Sequence, residues 1–162
     1  YLGSTDPKVI IGFGNMFEYK NFDLNIFFYG MFGQYVANSN RAKYGPSGCE
    51  YILQRQNYSK EVLERWTPDN PTNKFPSGFY SAYYGGDDWL LEKVSFVRCN
   101  NITLGYSFPH KWIHKVFSQA RIYVDVENPF IITNYQGLDP EMDSKGGYPS
   151  QRTYSIGIDI TF

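Results

Sequence analysis

The 162-residue sequence is poor in cysteine and histidine, carries almost no net charge, and has no long apolar run. Its two cysteines, Cys49 and Cys99, make no disulfide framework; they read as two unpaired thiols or one incidental bridge. Fifteen Lys and Arg against sixteen Asp and Glu leave a formal charge of −1, so the totals give no electrostatic footprint for nucleic acid or an anionic membrane surface. No stretch approaches the roughly 18 apolar residues that a membrane-spanning helix needs. That absence does not exclude a membrane β-barrel, whose strands are only half apolar. No GxSxG, P-loop or dinucleotide fingerprint occurs, and no catalytic constellation forms, so neither an enzyme nor a cofactor is expected. The opening at Tyr1, without Met or a signal peptide, reads as a processed or cut end.

Aromatic residues are what the sequence has in excess: 15 Tyr, 13 Phe and 3 Trp, or 19% of the chain. Rings with one wet end collect at binding surfaces and membrane interfaces. Around them five segments alternate with period two, the strand signature. In VIIGFGNMFEY, Val9, Ile11, Phe13, Phe17 and Tyr19 share one row with Asn15. After Lys20-Asn21, the segment FDLNIFFYGMFGQYV sets Phe22, Leu24, Ile26, Phe28 and Phe32 against Asp23, Asn25, Phe27, Tyr29 and Gly33. The pair predicts a hairpin with a two-residue turn. In SFVRCNNITLGYSF only the later half alternates cleanly, with Ile102, Leu104, Tyr106 and Phe108 against Asn101, Thr103, Gly105 and Ser107. RIYVDVENPFII sets Ile122, Val124 and Val126 against Arg121, Tyr123, Asp125 and Glu127. The final RTYSIGIDITF sets Tyr154, Ile156, Ile158, Ile160 and Phe162 against Thr153, Ser155, Gly157, Asp159 and Thr161.

The connections alternate between short and long. Lys20-Asn21 joins the first two strands, and PHKWIHKVFSQ, a helical turn or two opening at Pro109, joins the third and fourth. Residues 38–92 and 133–151 are long and turn-rich. Within the first of them, SKEVLERW predicts a short helix with Ser59 as N-cap and Val62, Leu63 and Trp66 on one side. A connection of that length counts against a compact soluble domain, whereas outer-membrane barrels pair short turns at one end with long extracellular loops at the other. The second rows are small or mixed polar, where a water-facing sheet usually carries several Lys and Glu, and this suits a lumen wall. The apolar rows end in Tyr19, Phe22, Tyr106, Phe108 and Phe162, as an interfacial girdle would. Five strands cannot close a barrel and an open edge is not tolerated in lipid, so the chain is expected to be part of a larger wall. A soluble extracellular β-sandwich that binds carbohydrate and a passive porin are the alternatives.

The blocks SFVRCNNITLGYSFP, RIYVDVENPFIITNYQGLDPE and YPSQRTYSIGIDITF resemble the C-terminal end of the SusC/RagA family of TonB-dependent outer-membrane transporters. The opening STDPKVIIGFGNMFEYKNFDLNIFFYGMFGQYV resembles the strand pair before them, so the likeness covers nearly the whole chain. The resemblance implies an all-β fold: the C-terminal antiparallel strands, five here, of a large transmembrane β-barrel with long extracellular loops. Family barrels have about 22 strands and an N-terminal plug. That plug and the TonB-contacting segment have no counterpart in residues 1–162. Implied partners are a SusD-like lipoprotein that caps the barrel, TonB through the missing N-terminal part, the barrel-assembly machinery and outer-membrane lipid, with no nucleic acid. The implied role is import of glycan or peptide nutrients across the outer membrane of a Gram-negative, Bacteroidota-like cell. Tyr154, Ile156, Ile158, Ile160 and Phe162 resemble the C-terminal signal read by the assembly machinery, which takes an edge strand by strand addition. With Phe162 periplasmic, every short connection falls inside and every long one outside.

Candidate contacts lie in the long aromatic loop. GFYSAYYGGDDW places Phe79, Tyr80, Tyr83, Tyr84 and Trp89 around glycines, with Trp66 upstream and Asp69, Asn70, Asn73, Asp87 and Asp88 nearby. Such rings stack on sugars beside hydrogen-bonding acids and amides, or pack the loop against a protein partner. Asn101, Thr103 and Gly105 read as lumen wall facing a plug. His110 and His114 stand four apart without a third metal ligand near them, and read as part of a solvated basic turn. Asp87-Asp88 and Asp139, Glu141 and Asp143 offer oxygen ligands for Ca²⁺, but their spacing is not an EF-hand's and ordinary turn formation accounts for them. No metal is expected.

Overall fold

A computed structural model describes residues 3–45, 57–75, 77, 90–114, 116–142 and 148–162. Five strands form one antiparallel sheet in sequence order: β1 (Val9–Tyr19), β2 (Phe22–Ala37), β3 (Leu91–Ser107), β4 (Gln119–Thr133) and β5 (Thr153–Thr161). The chain is all-β, as the alternation predicts. It divides into two compact units. A wall unit holds Pro7–Gly33, Ser95–Asn134 and Ser150–Phe162; a loop unit holds the described parts of Tyr1–Asp6, Gln34–Val94 and Tyr135–Pro149.

In the wall unit β1 and β2 pair without interruption from Val9↔Phe32 to Tyr19↔Phe22. The two-residue turn puts Lys20 at φ 56°, the left-handed conformation that tight hairpins require at this position. The register joins the apolar rows of neighbouring strands: Phe13 with Phe28, Leu104 with Val124, and Val124 with Ile156. On β5 that row is open to the surroundings, with Ile156 76%, Ile158 63% and Ile160 46% exposed. Among the described residues no second sheet covers it. This departs from a β-sandwich, whose apolar row would be buried against a facing sheet.

The early half of β3 departs from simple alternation for a local reason. Pairing is regular from Phe96↔Thr133 to Cys99↔Phe130 and again from Asn101↔Glu127 to Ser107↔Arg121, with a break between. Pro129 has no N–H to give the ladder, and Asn128 adopts φ 49°. The register sets two residues of β4, Asn128 and Pro129, against the single Asn100 of β3, a bulge on β4, and across it the parity of β3 reverses: Phe96 lies on the polar face that Asn101, Thr103 and Gly105 share. Phe96 accordingly meets Tyr29 edge-on at 6.0 Å. Across the apolar face Phe28 and Phe130 approach to 6.2 Å over the intervening strand, where Cys99 is buried. Cys99 forms no disulfide, and Cys49 lies outside the described residues.

In the loop unit, α1 (Ser39–Tyr44) is capped by Asn38, whose side-chain oxygen accepts from the Arg41 N–H. The helix expected in SKEVLERW forms as one 3-10 turn over Lys60–Glu64, and Ser59 caps it by accepting from the Glu61 N–H. Three residues per turn align Leu63 with Lys60 and separate it from Val62. Leu63 is exposed, so the shared side expected for Val62, Leu63 and Trp66 does not form. Among the described residues of this unit, Phe75, Leu90, Val94 and Tyr135 are buried.

Candidate functional site

The polar face of the wall unit carries a cross-strand ion network. Arg121 on β4 donates from Nε to Asp23 Oδ1 at 3.0 Å and from Nη2 to Asp23 Oδ2 at 2.6 Å, although Asp23 lies on β2, two strands away. Its Nη1 donates to Asp159 Oδ2 on β5 at 3.2 Å. The guanidinium also lies 5.0 Å from the Tyr123 ring centre. Gly105 of β3 makes the crossing possible: a Cβ there would sit 2.4 Å from both Arg121 Nη2 and Asp23 Oδ1. On β5, a Cβ on Gly157 would lie 2.2 Å from Tyr123 Cζ, so that ring covers its register partner. Further along, Thr103 donates its hydroxyl to Asp125, and Asn101 Nδ2 donates to Thr103 Oγ1 at 3.3 Å. Asn101, Thr103 and Gly105 thus sit on the same polar face as this network. The sequence placed Asp23, Arg121 and Asp159 on polar rows; what it lacked was the lateral register that brings them together.

The loop unit is organised around one carboxylate. Glu92 Oε1 accepts from Asn38 Nδ2 at 2.8 Å and from Arg41 Nη1 at 3.4 Å, and Oε2 accepts from the Gln136 N–H at 2.9 Å. Arg41 also donates to both oxygens of Glu61, at 3.3 and 3.0 Å, and to the Gln136 side-chain oxygen. Four chain segments meet in this cluster. Burial pushes the Tyr135 hydroxyl above the usual tyrosine range; the Glu92 carboxylate adds to this and Arg41 opposes it.

Of the loop aromatics, Trp66 is exposed, with its backbone N–H bonded to the Phe75 carbonyl at 3.2 Å. Tyr80, Tyr83, Tyr84 and Trp89 lie outside the described residues, as do Phe79, Asp87, Asp88 and Asp143. Asn70 is engaged in its own turn, with its amide on the Arg65 carbonyl at 3.1 Å. Asp139 Oδ1 accepts from the Glu141 N–H at 3.0 Å, a turn contact. His110 and His114 stack at 5.9 Å around α2 (His110–Ile113), and no group of three or more metal-ligating side chains converges among the described residues. Tyr154, Ile156, Ile158 and Ile160 form the exposed row of β5, and Phe162 packs edge-on against Phe117 at 5.4 Å.

No family model matches the chain. It is 33% identical, over 95% of its length, to the TonB-dependent receptor SusC of Bacteroides thetaiotaomicron, and 27% identical, over 99% of its length, to the TonB-dependent receptor P3 of Formosa agariphila. Its fold overlays the RagAB peptide importer in the open-open state with a TM-score of 0.82 at 30% identity, covering 99% of this chain. In sequence and in fold the chain is SusC/RagA-like. It spans 15% and 17% of the length of those two receptors and 18% of the RagAB chain. Within this SusC/RagA-like chain no described helix is long and apolar enough to cross a membrane, which leaves crossing by strands open.

Proposed function

We propose that this chain is the C-terminal wall segment of an outer-membrane TonB-dependent importer that works by gated translocation, not catalysis. The observation that carries the reading is the exposed row Ile156, Ile158 and Ile160 on a single sheet. Each Å² of apolar surface left in water costs about 25 cal/mol, a penalty that vanishes where the solvent is hydrocarbon. The opposite face, with Arg121, Asp23, Asp159, Asp125 and Thr103, then faces the lumen. The remaining strands, the plug and the TonB-contacting segment belong to the rest of a longer polypeptide. The short connections lie on the periplasmic side and the long connections, residues 38–92 and 133–151, lie outside.

A SusD-like surface lipoprotein is the proposed partner, and glycan or peptide fragments are the proposed cargo; the likeness to a peptide importer supports the peptide class. Trp66, Tyr80, Tyr83, Tyr84 and Trp89 are the proposed contacts to cargo or lipoprotein. Tyr154, Ile156, Ile158, Ile160 and Phe162 are the proposed assembly signal. The test is purification of the full-length protein from outer membranes. Detergent dependence and a co-purifying lipoprotein are expected; a polypeptide that is monodisperse in plain buffer and isolated alone overturns the reading.

A further inference from the structure

The connection between β3 and β4, residues 108–118, stands at one end of the sheet. Hydrogen bonds gather three chain segments at this end of the sheet. Asn21 exchanges two with Ser107, its carbonyl accepting at 2.8 Å and its amide donating at 2.7 Å, and Ser118 N–H donates to Thr161 at 2.7 Å. Rings close the apolar face there, Phe22 to Tyr106 at 4.8 Å, Tyr106 to Phe108 at 5.4 Å and Phe117 to Phe162 at 5.4 Å. Beyond that belt α2 holds Trp112 and the turn that follows it holds Val116, at 71% and 66% exposure.

The charge on the connection itself is of one sign. Residues 105–120 contain no Asp or Glu but carry Lys111 and Lys115, and Lys20 sits 5.2 Å from the Tyr19 ring in the neighbouring turn. The near-neutral total hides this local asymmetry. Indole at the boundary, aliphatic surface beside it and ammonium groups at its edge is the arrangement of an interfacial anchor.

We propose that the connection formed by α2 and the turn after it seats in the headgroup layer of the adjoining leaflet, with Trp112 and Val116 inserted and Lys111 and Lys20 against anionic phospholipid phosphates. The occupant is lipid because the surface continues the apolar face, which this inference, resting on the membrane-wall reading, takes as hydrocarbon-facing. The test uses the full-length protein in nanodiscs of phosphatidylethanolamine and phosphatidylglycerol, free of other reactive cysteines. Nitroxides are placed at Trp112→Cys, at Val116→Cys as a second site, and at Ile158→Cys as a control.

Oxygen accessibility several-fold above that of a water-soluble nickel complex is expected at 112 and 116. Replacing phosphatidylglycerol with phosphatidylcholine, or Lys111→Gln, is expected to lower that ratio at least twofold. A water-like ratio at 112 and 116 with a lipid-like one at 158 overturns the anchor alone. Shielding from both reagents indicates a protein cover and also overturns it, and insensitivity to lipid charge overturns the phosphate contact. A water-like ratio at 158 overturns the anchor together with the membrane-wall reading.

Discussion

Arg121 grips Asp23 from two strands away, with both bonds crossing the bare backbone of Gly105. A fork-to-carboxylate contact of this kind fixes geometry as well as charge. It ties β2, β3 and β4 together on the polar face, and Asp159 extends the tie to β5. A side chain on Gly105 displaces the guanidinium, so the glycine and the ion pair form one device.

Arg121→Lys loses the bidentate geometry and is expected to cost about 1–2 kcal/mol, the low end for charge-assisted bonds because the pair is partly exposed. Gly105→Ala is expected to cost a similar amount. The double variant should cost no more than either alone, since each removes the same contact. Chemical unfolding of the full-length barrel reads all three, and strict additivity rules out the shared mechanism.

Glu92→Ala removes the carboxylate shared by Asn38, Arg41 and Gln136. Hydrogen exchange over residues 38–45, 57–65 and 134–142 of the full-length protein is expected to accelerate about tenfold or more, equivalent to ~1.4 kcal/mol of local opening. Exchange in β4 and β5 should not change. Unaltered exchange in the three loop segments would show that this cluster is not what holds them.

Asn128 occupies φ 49° beside Pro129, where a β-branched side chain is poorly tolerated. Asn128→Val is expected to destabilise by about 1–2 kcal/mol, whereas Asn128→Gly keeps the conformation without steric cost. Equal unfolding midpoints for the two variants would refute the conformational origin of the break.

Tyr135 is held neutral by burial, so its folded pKa lies above its unfolded value near 10. The sign follows directly: its contribution is fully present below the unfolded value and is lost as pH rises through the raised folded value. Alkaline titration of the phenolate absorbance should show a late-titrating group that Tyr135→Phe removes. Retention of that group in the variant assigns it elsewhere.

Phe162→Ala is expected to lower the amount of protein assembled in the outer membrane several-fold while leaving the unfolding of already assembled protein little changed, as a targeting role requires. Loss of its contact with Phe117 predicts the opposite balance. Comparing assembled quantity with unfolding midpoint separates the two.

The amino-acid order by itself determined the strands, the two short turns and, outside the early half of β3, the division of the strands into an apolar and a polar row. Side-chain alternation is a local property of the extended backbone, and Ile156, Ile158 and Ile160 declare it without any partner. Even the Ser59 cap was readable, because capping acts within three residues. Only the tertiary structure decided the parity reversal near Cys99, which depends on how Pro129 and Asn128 of one strand meet another. It also decided which polar residues touch. Asp23 and Arg121 are 98 positions apart in sequence, and their contact needs lateral register and the gap at Gly105. The Glu92 cluster was hidden for the same reason: it unites short segments that carry no periodic pattern, and what selects its members is proximity in space.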